Sequence, residues 1–190
     1  MVRKADTAFQ TFQEKVFHRD DYTCQFCGFR AKQYMDVINF NGDYHHNRIN
    51  NLVTACGFCS QCFFLESVGR DEQGGGVLII LPEMTQGELN ALCHVLFTAI
   101  MTGGPAATDA RNIYRGLKLR AQRTEKLLGE GMSNPTLVGQ LLVDSSGESR
   151  QKVQDKLQSS VRLLPDMQRF AESIKTWILE GLSFTAPSTE

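Results

Sequence analysis

Residues 51–62 read NLVTACGFCSQC, from Asn51 to Cys62. Cys56 and Cys59 stand two residues apart, and Cys24 and Cys27 repeat that spacing upstream. Two such hooks can present four thiolates to one tetrahedral ion, the arrangement a structural zinc site needs. The two-residue gap lets the backbone curl around the metal and aim N–H groups at sulfur. Gly28, just past the first pair, suits the backbone angles of such a turn. Residues 28–55, between the pairs, are long enough for a hairpin. The predicted ligands are Cys24, Cys27, Cys56 and Cys59, holding one structural zinc. Redox use of either pair would need a strand–helix context as in thioredoxin-like proteins, which is not the expectation for either pair here. Cys62 extends the second pair to C-x-x-C-x-x-C and reads as a spare buried thiol, since four ligands are already supplied. Cys93 and His94 lie in an apolar helical stretch and read as core or flank residues.

The chain has 190 residues, a net charge of −1 and 42% hydrophobic residues. That size suits one large domain or two small ones. Nucleic-acid binders usually carry a strong basic excess, because neutralising phosphate supplies most of their affinity. The balanced total argues against general nucleic-acid binding. No stretch approaches the roughly 20 apolar residues of a membrane span. The start, MVRKADTAFQTFQEK, lacks the apolar core of a secretory signal. The expectation is a cytoplasmic chain with no direct membrane insertion, in which the six cysteines form no disulfide framework and the two spaced pairs serve metal.

Phe9, Phe12, Val16 and Phe17 put one apolar stripe on a helix over about residues 7–19. DDYTCQFCGFR is a turn, YMDVINF a strand, NGDYHHNRIN a loop. A helix is expected from about Thr54 to Val68. DEQGGG is a flexible break, and VLIIL, closed by Pro82, a buried strand. Thr85 and Glu88 form a capping-box signature ahead of Leu89, Leu92, Leu96 and Ile100, and GGP ends that helix. Further helices are predicted over 108–128, from Asn134 and Pro135 through Val143, and over 147–160 and 166–182. Met167, Phe170, Ile174, Trp177 and Ile178 form a core-facing stripe on the last. The tail TAPSTE should be disordered.

The order CxxC, strand, loop, NLVTAC and a second CxxC opening a helix resembles the HNH nucleases over about residues 20–68. That family has a ββα-metal fold often stapled by a four-cysteine zinc. The resemblance places Asn39 where the family has its general-base histidine. An amide cannot take up a proton near neutral pH. Asn51 matches the middle asparagine, which pins the loop. Ser60 stands where the last metal-binding histidine belongs, and a hydroxyl is a poor substitute for imidazole. His45 and His46 fall in the loop after the strand, one expected exposed and one capping a turn. No catalytic residue and no further cofactor site is predicted. The alternative is an HNH-type nuclease or DNA-binding zinc protein using His45 or His46.

A second resemblance covers nearly the whole chain. KVFHRDDYTCQFCGF, NNLVTACGFCSQCFFLE, GGGVLIILPEMTQGELNALCHVLF and VRLLP resemble the IcmJ (DotN) family of Dot/Icm type IVB secretion components. It implies a non-enzymatic scaffold or adaptor of the coupling complex, bound to the coupling ATPase DotL, to DotM and to adaptor proteins that present effectors. It also implies a place at the cytoplasmic face of the inner membrane, reached through partners. The resulting expectation is an α+β fold, mainly α. An HNH-like zinc region over 1–80 is followed by a helical region over 81–184 and a tail over 185–190, the two regions sharing one core.

Two segments are candidate partner surfaces. Residues 111–126 hold six basic residues against one acidic. Arg111, Arg115, Lys118 and Arg120 cannot share one helix face, yet together make a basic flank. Phe63, Phe64 and Leu65 in succession cannot all face one core, so one of them is a candidate for an exposed anchor. Trp177 reads as core.

Overall fold

The computed structural model describes residues 7–43, 45–70 and 74–185. In chain order the elements are α1 (Thr7–Arg19), β1 (Met35–Asn39), β2 (Leu52–Cys56), α2 (Gly57–Ser60), β3 (Gly76–Ile80), α3 (Gln86–Thr102), α4 (Ala107–Leu128), α5 (Pro135–Asp144), α6 (Gly147–Ser160), β4 (Val161–Pro165) and α7 (Ala171–Thr185). Short 3-10 turns cover Ile49–Asn51, Gln61–Phe63 and Leu65–Ser67. The fold is α+β and mainly α, with small antiparallel sheets beside a cysteine cluster.

Each sheet has two strands. β1 pairs antiparallel with β2, setting Met35 opposite Cys56 and Asn39 opposite Leu52. β3 pairs antiparallel with β4, setting Gly76 opposite Pro165 and Ile80 opposite Val161. β3 and β4 form a wall between two hydrophobic clusters. Leu78, Ile80, Val161 and Leu163 join the smaller cluster with Val68 and Val138, while Ile79, Leu81 and Leu164 join the larger one. Successive side chains of a strand point to opposite faces, so a ribbon buried on both must read as a continuous apolar run. VLIIL is such a run. The larger cluster takes Cys24, Ile38, Ala55 and Phe58 from before residue 80 and Leu89, Phe97, Ile174 and Trp177 from after it.

Helix boundaries follow local chemistry. Thr85 accepts at Oγ1 from the N–H of Glu88 at 3.2 Å, and the Glu88 carboxylate accepts from the N–H of Thr85 at 2.7 Å. This capping box opens α3, and Gly103 closes it in the left-handed region at φ 73°. Asn134 caps α5, accepting from the N–H of Thr136 at 2.9 Å ahead of Pro135. On α1, Val16 and Phe17 are buried; the Phe9 side chain lies outside the described residues. So do Asp71–Gln73 of the glycine-rich break and residues 186–190 of the tail.

Two expectations are corrected. The segment from Thr54 to Val68 is not one helix. Thr54 lies in β2, α2 is a single turn of four residues, and two 3-10 turns follow. Val53 and Thr54 favour a strand, and pairing with MDVIN satisfies the backbone of LVTAC. The chain then leaves helical geometry at Phe64, at φ −135° and ψ 50°. That bend answers how three large neighbours are housed. Phe63 and Phe64 pack on the larger cluster and Leu65 on the smaller, and each stays half-buried. The second correction is Val161–Pro165, a strand between the last two helices rather than a connector. It supplies the partner that β3 needs to be buried.

Candidate metal centre

The first hook grows out of the end of α1. Asp21 and Tyr22 take positive φ of 51° and 53° and turn the chain back. Gly28 donates its N–H to the Cys24 carbonyl at 2.9 Å, and Cys24 donates its own to Phe29 at 2.8 Å. Gly28 sits at φ 75° with open space where a Cβ would be, so backbone conformation is what glycine serves there. The second hook joins the end of β2, at Cys56, to α2, at Cys59. Gln25 donates its N–H to the Thr54 carbonyl at 2.9 Å, fastening one hook to the strand that carries the other.

The sulfurs of Cys24, Cys27, Cys56 and Cys59 all lie within 4.8 Å of one another, and those of Cys27 and Cys56 are 3.6 Å apart. Zinc–sulfur bonds of about 2.3 Å in a tetrahedron would set the sulfurs roughly 3.8 Å apart. All four cysteines are free of disulfides, three are buried, and Cys27 is half-buried. Hydrogen bonds from the neighbouring thiols hold the Cys24 thiol far below its ordinary value, while burial holds Cys56 well above it. Such a quartet titrates as one unit, its first proton lost easily and its last ones held. A bound dication favours the thiolate form throughout. Position, donor type and burial therefore fit a soft, closed, four-sulfur metal site. Cys62 stands outside the quartet and donates to the Phe58 carbonyl at 3.3 Å. Burial pushes its thiol up to about 12 against an opposing hydrogen bond from Asn90. Cys93 is fully buried and is likewise pushed up to about 12.

Helix α3 brings two side chains to the sulfurs that sequence reasoning missed. Asn90 donates from Nδ2 to Cys59 Sγ at 3.1 Å. His94 places Nε2 3.3 Å from Cys56 Sγ. The imidazole stacks between Phe29, with ring centres 3.6 Å apart, and Phe58, at 4.3 Å. Burial drives it down to about 3, so the ring is neutral at ordinary pH. One signal was available in the sequence. Asn90 and His94 are spaced i and i+4, a polar pair set among Leu89, Cys93, Leu96 and Phe97 on the buried face.

The nuclease-like positions are engaged in structural bonds. Asn39 is buried and donates Nδ2 to the His46 carbonyl at 2.9 Å and to Asn47 at 3.2 Å. Asn51 donates Nδ2 to the same carbonyl at 2.8 Å and to Asn41 at 2.8 Å, so it does pin the loop. Ser60 donates its hydroxyl to Asp36 at 2.8 Å. His45 is exposed and His46 half-buried; they border an open depression with Asp43, Asn47 and Arg48, while Tyr44 lies outside the described residues. Among the described residues these histidines join no cluster of potential metal ligands.

On α4, Arg111, Arg115, Lys118, Arg123 and Lys126 are exposed, as are Ile113 and Leu119. Lys118 reaches Asp166 at 3.8 Å, and Arg120 pairs with Glu83. No helix among the described residues is long and apolar enough to cross a membrane.

No family model matches the chain. Over 181 residues it is 51% identical to the type 4 apparatus protein DotN of Legionella pneumophila subsp. pneumophila, covering 95% of this chain and 84% of that protein. Identity at that level over nearly the whole chain establishes that this chain belongs to the DotN family.

Proposed function

We propose that this chain is a non-catalytic, zinc-stapled scaffold subunit of a type IVB secretion apparatus. Its relative is named as a type 4 apparatus protein, and the 51% identity along 95% of the chain is the observation that carries the reading. In this reading the chain binds the coupling ATPase DotL, together with DotM and adaptor proteins, and helps recruit effectors. It sits at the cytoplasmic face of the inner membrane through those partners. Cys24, Cys27, Cys56 and Cys59 hold one zinc, whose bonds to four sulfurs tie α1, β2 and α2 together. The regions 1–80 and 81–184 unfold together, because the larger cluster draws on both.

The absence of catalysis is supported by residue chemistry. At the position expected for a base, Asn39 has only an amide, already donating to two acceptors. At the position expected for a metal ligand, Ser60 has only a hydroxyl, already donating to Asp36. The exposed outer face of α4, with Arg115 and Lys118, is assigned to an acidic segment of a partner, with charge setting the association rate. Affinity-tagged chain from cells expressing the whole apparatus should recover the coupling ATPase, and Arg115→Glu with Lys118→Glu should slow association. Failure of the wild-type chain to recover it would remove the assignment. Cleavage of plasmid DNA in magnesium or manganese, abolished by His45→Ala or His46→Ala, would establish the nuclease alternative instead.

A further inference from the structure

Asn90 is fully buried and His94 is 8% exposed. Buried polar groups persist where their hydrogen bonds are met, and both aim at sulfur. The Asn90 amide cannot turn round without loss, because its Oδ1 accepts from Gln86 Nε2 at 3.0 Å. Gln86 in turn donates to the Leu163 carbonyl at 2.8 Å and accepts the Leu163 N–H at 2.8 Å. A continuous chain of hydrogen bonds thus runs from Cys59 through Asn90 and Gln86 to β4. The His94 ring is held between Phe29 and Phe58 and cannot swing away from Cys56. A protonated thiol is a weak acceptor, whereas a metal-held thiolate is a charged one that shortens and strengthens the bond.

We propose that Asn90 and His94 are positioning residues of the metal centre. They donate N–H to the thiolates of Cys59 and Cys56, and through Gln86 it is Asn90 that makes the seating of α3 against β4 depend on bound metal. The proposal rests on the four-cysteine metal reading. A bare quartet offers α3 weak acceptors; a loaded one offers two anionic sulfurs. Loss of metal therefore loosens the clasp between α3 and the β3–β4 ribbon, beyond the hooks themselves.

Cobalt(II) substituted into the full chain tests the contacts, with His94→Phe keeping the ring stack and Asn90→Leu keeping the volume. Loss of a donor leaves the sulfur more electron-rich, so the sulfur-to-cobalt charge-transfer band should move to longer wavelength. Zinc transfer to a competing chelator should quicken about 10- to 100-fold, and His94→Gln, which restores an N–H, should recover part of the change. If the wild-type chain binds one metal while band and transfer rate stay unchanged in both variants, the proposal falls and the metal reading stands. If the wild-type chain binds no metal, both fall. Should the variants not fold, hydrogen exchange on the wild-type chain decides. Zinc removal should expose the Leu163 amide while amides within α4 stay protected. An unchanged Leu163, or loss of protection through α4 at the same time, overturns the coupling.

Discussion

Gly87 is the second residue of α3, and a Cβ there would press on the carbonyl of Phe26, inside the first cysteine hook, coming 3.3 Å from its carbon. Alanine is otherwise the better helix former, by up to about 1 kcal/mol in a helix interior and less at an end. Propensity alone thus predicts that Gly87→Ala stabilises. Packing predicts the reverse. The clashing atom is backbone, and the next residue, Cys27, belongs to the sulfur cluster, so the hook cannot retreat without moving one of the four sulfurs. Overpacking costs about 1–3 kcal/mol, with a rigid backbone neighbour at the upper end. After the small propensity gain, a net loss of about 2 kcal/mol remains. At about 2–4 °C per kcal/mol for a chain of this size, Tm should fall by about 4–8 °C. Gly116→Ala on α4 is the internal control. It is the same substitution in a mid-helix site with open space around the new methyl, and it should raise Tm by about 2 °C. Thermal unfolding of both metal-loaded variants followed by circular dichroism makes the comparison. A Gly87→Ala protein that melts at or above wild type would refute the claim that α3 is seated on the hook by backbone contact.

Three further expectations follow from particular contacts. Cys56→Ser should lose its metal and become protease-sensitive; a variant with full zinc content by elemental analysis and an unchanged melt would contradict the ligand assignment. Burial alone would raise the Asp20 carboxyl, but hydrogen bonds from Arg19 and from the Thr54 N–H, at 2.8 Å, bring it below its ordinary value. A lowered folded value means the carboxylate's contribution is complete above the unfolded pKa of about 3.9 and is lost as pH falls through the folded value. Asp20→Asn should therefore cost about 1 kcal/mol at pH 7, allowing for solvent screening, and the gap to wild type should be constant above about pH 5 and shrink as pH falls below about 4 towards the folded value; a gap that does not shrink in acid contradicts the linkage. Trp177 is buried and donates Nε1 to the Gln33 carbonyl at 2.9 Å. Trp177→Phe should lower Tm by about 2–8 °C through a lost bond of about 1–2 kcal/mol, measurable by calorimetry.

The elements most legible in the sequence are those whose causes lie within a few residues of each other. The capping box at Thr85 and Glu88, the Asn134–Pro135 start and the Gly103 stop are local hydrogen-bonding and φ preferences, and each appears where predicted. β2 was misread because its apolar run suits a helix as well as a strand until MDVIN is laid beside it. β4 was missed because its partner, β3, lies some eighty residues earlier in the chain, and five residues with no local turn signal announce nothing alone.

The same division holds at the candidate metal centre. The two CxxC spacings nominate Cys24, Cys27, Cys56 and Cys59 without any structure, because two-residue gaps constrain donor geometry locally. That the four sulfurs converge depends on β1 pairing with β2 and on Gln25 bonding to Thr54. That Asn90 and His94 close over them depends on α3 packing across the hooks, a contact between residues more than thirty positions apart. Sequence alone nominated the four clustered cysteines and the capped ends of α3 and α5, whose energetics are satisfied within one or two turns. Only the tertiary structure decided which buried polar groups meet the sulfurs and which apolar neighbours share a core, because those bonds exist only once distant segments exclude water together.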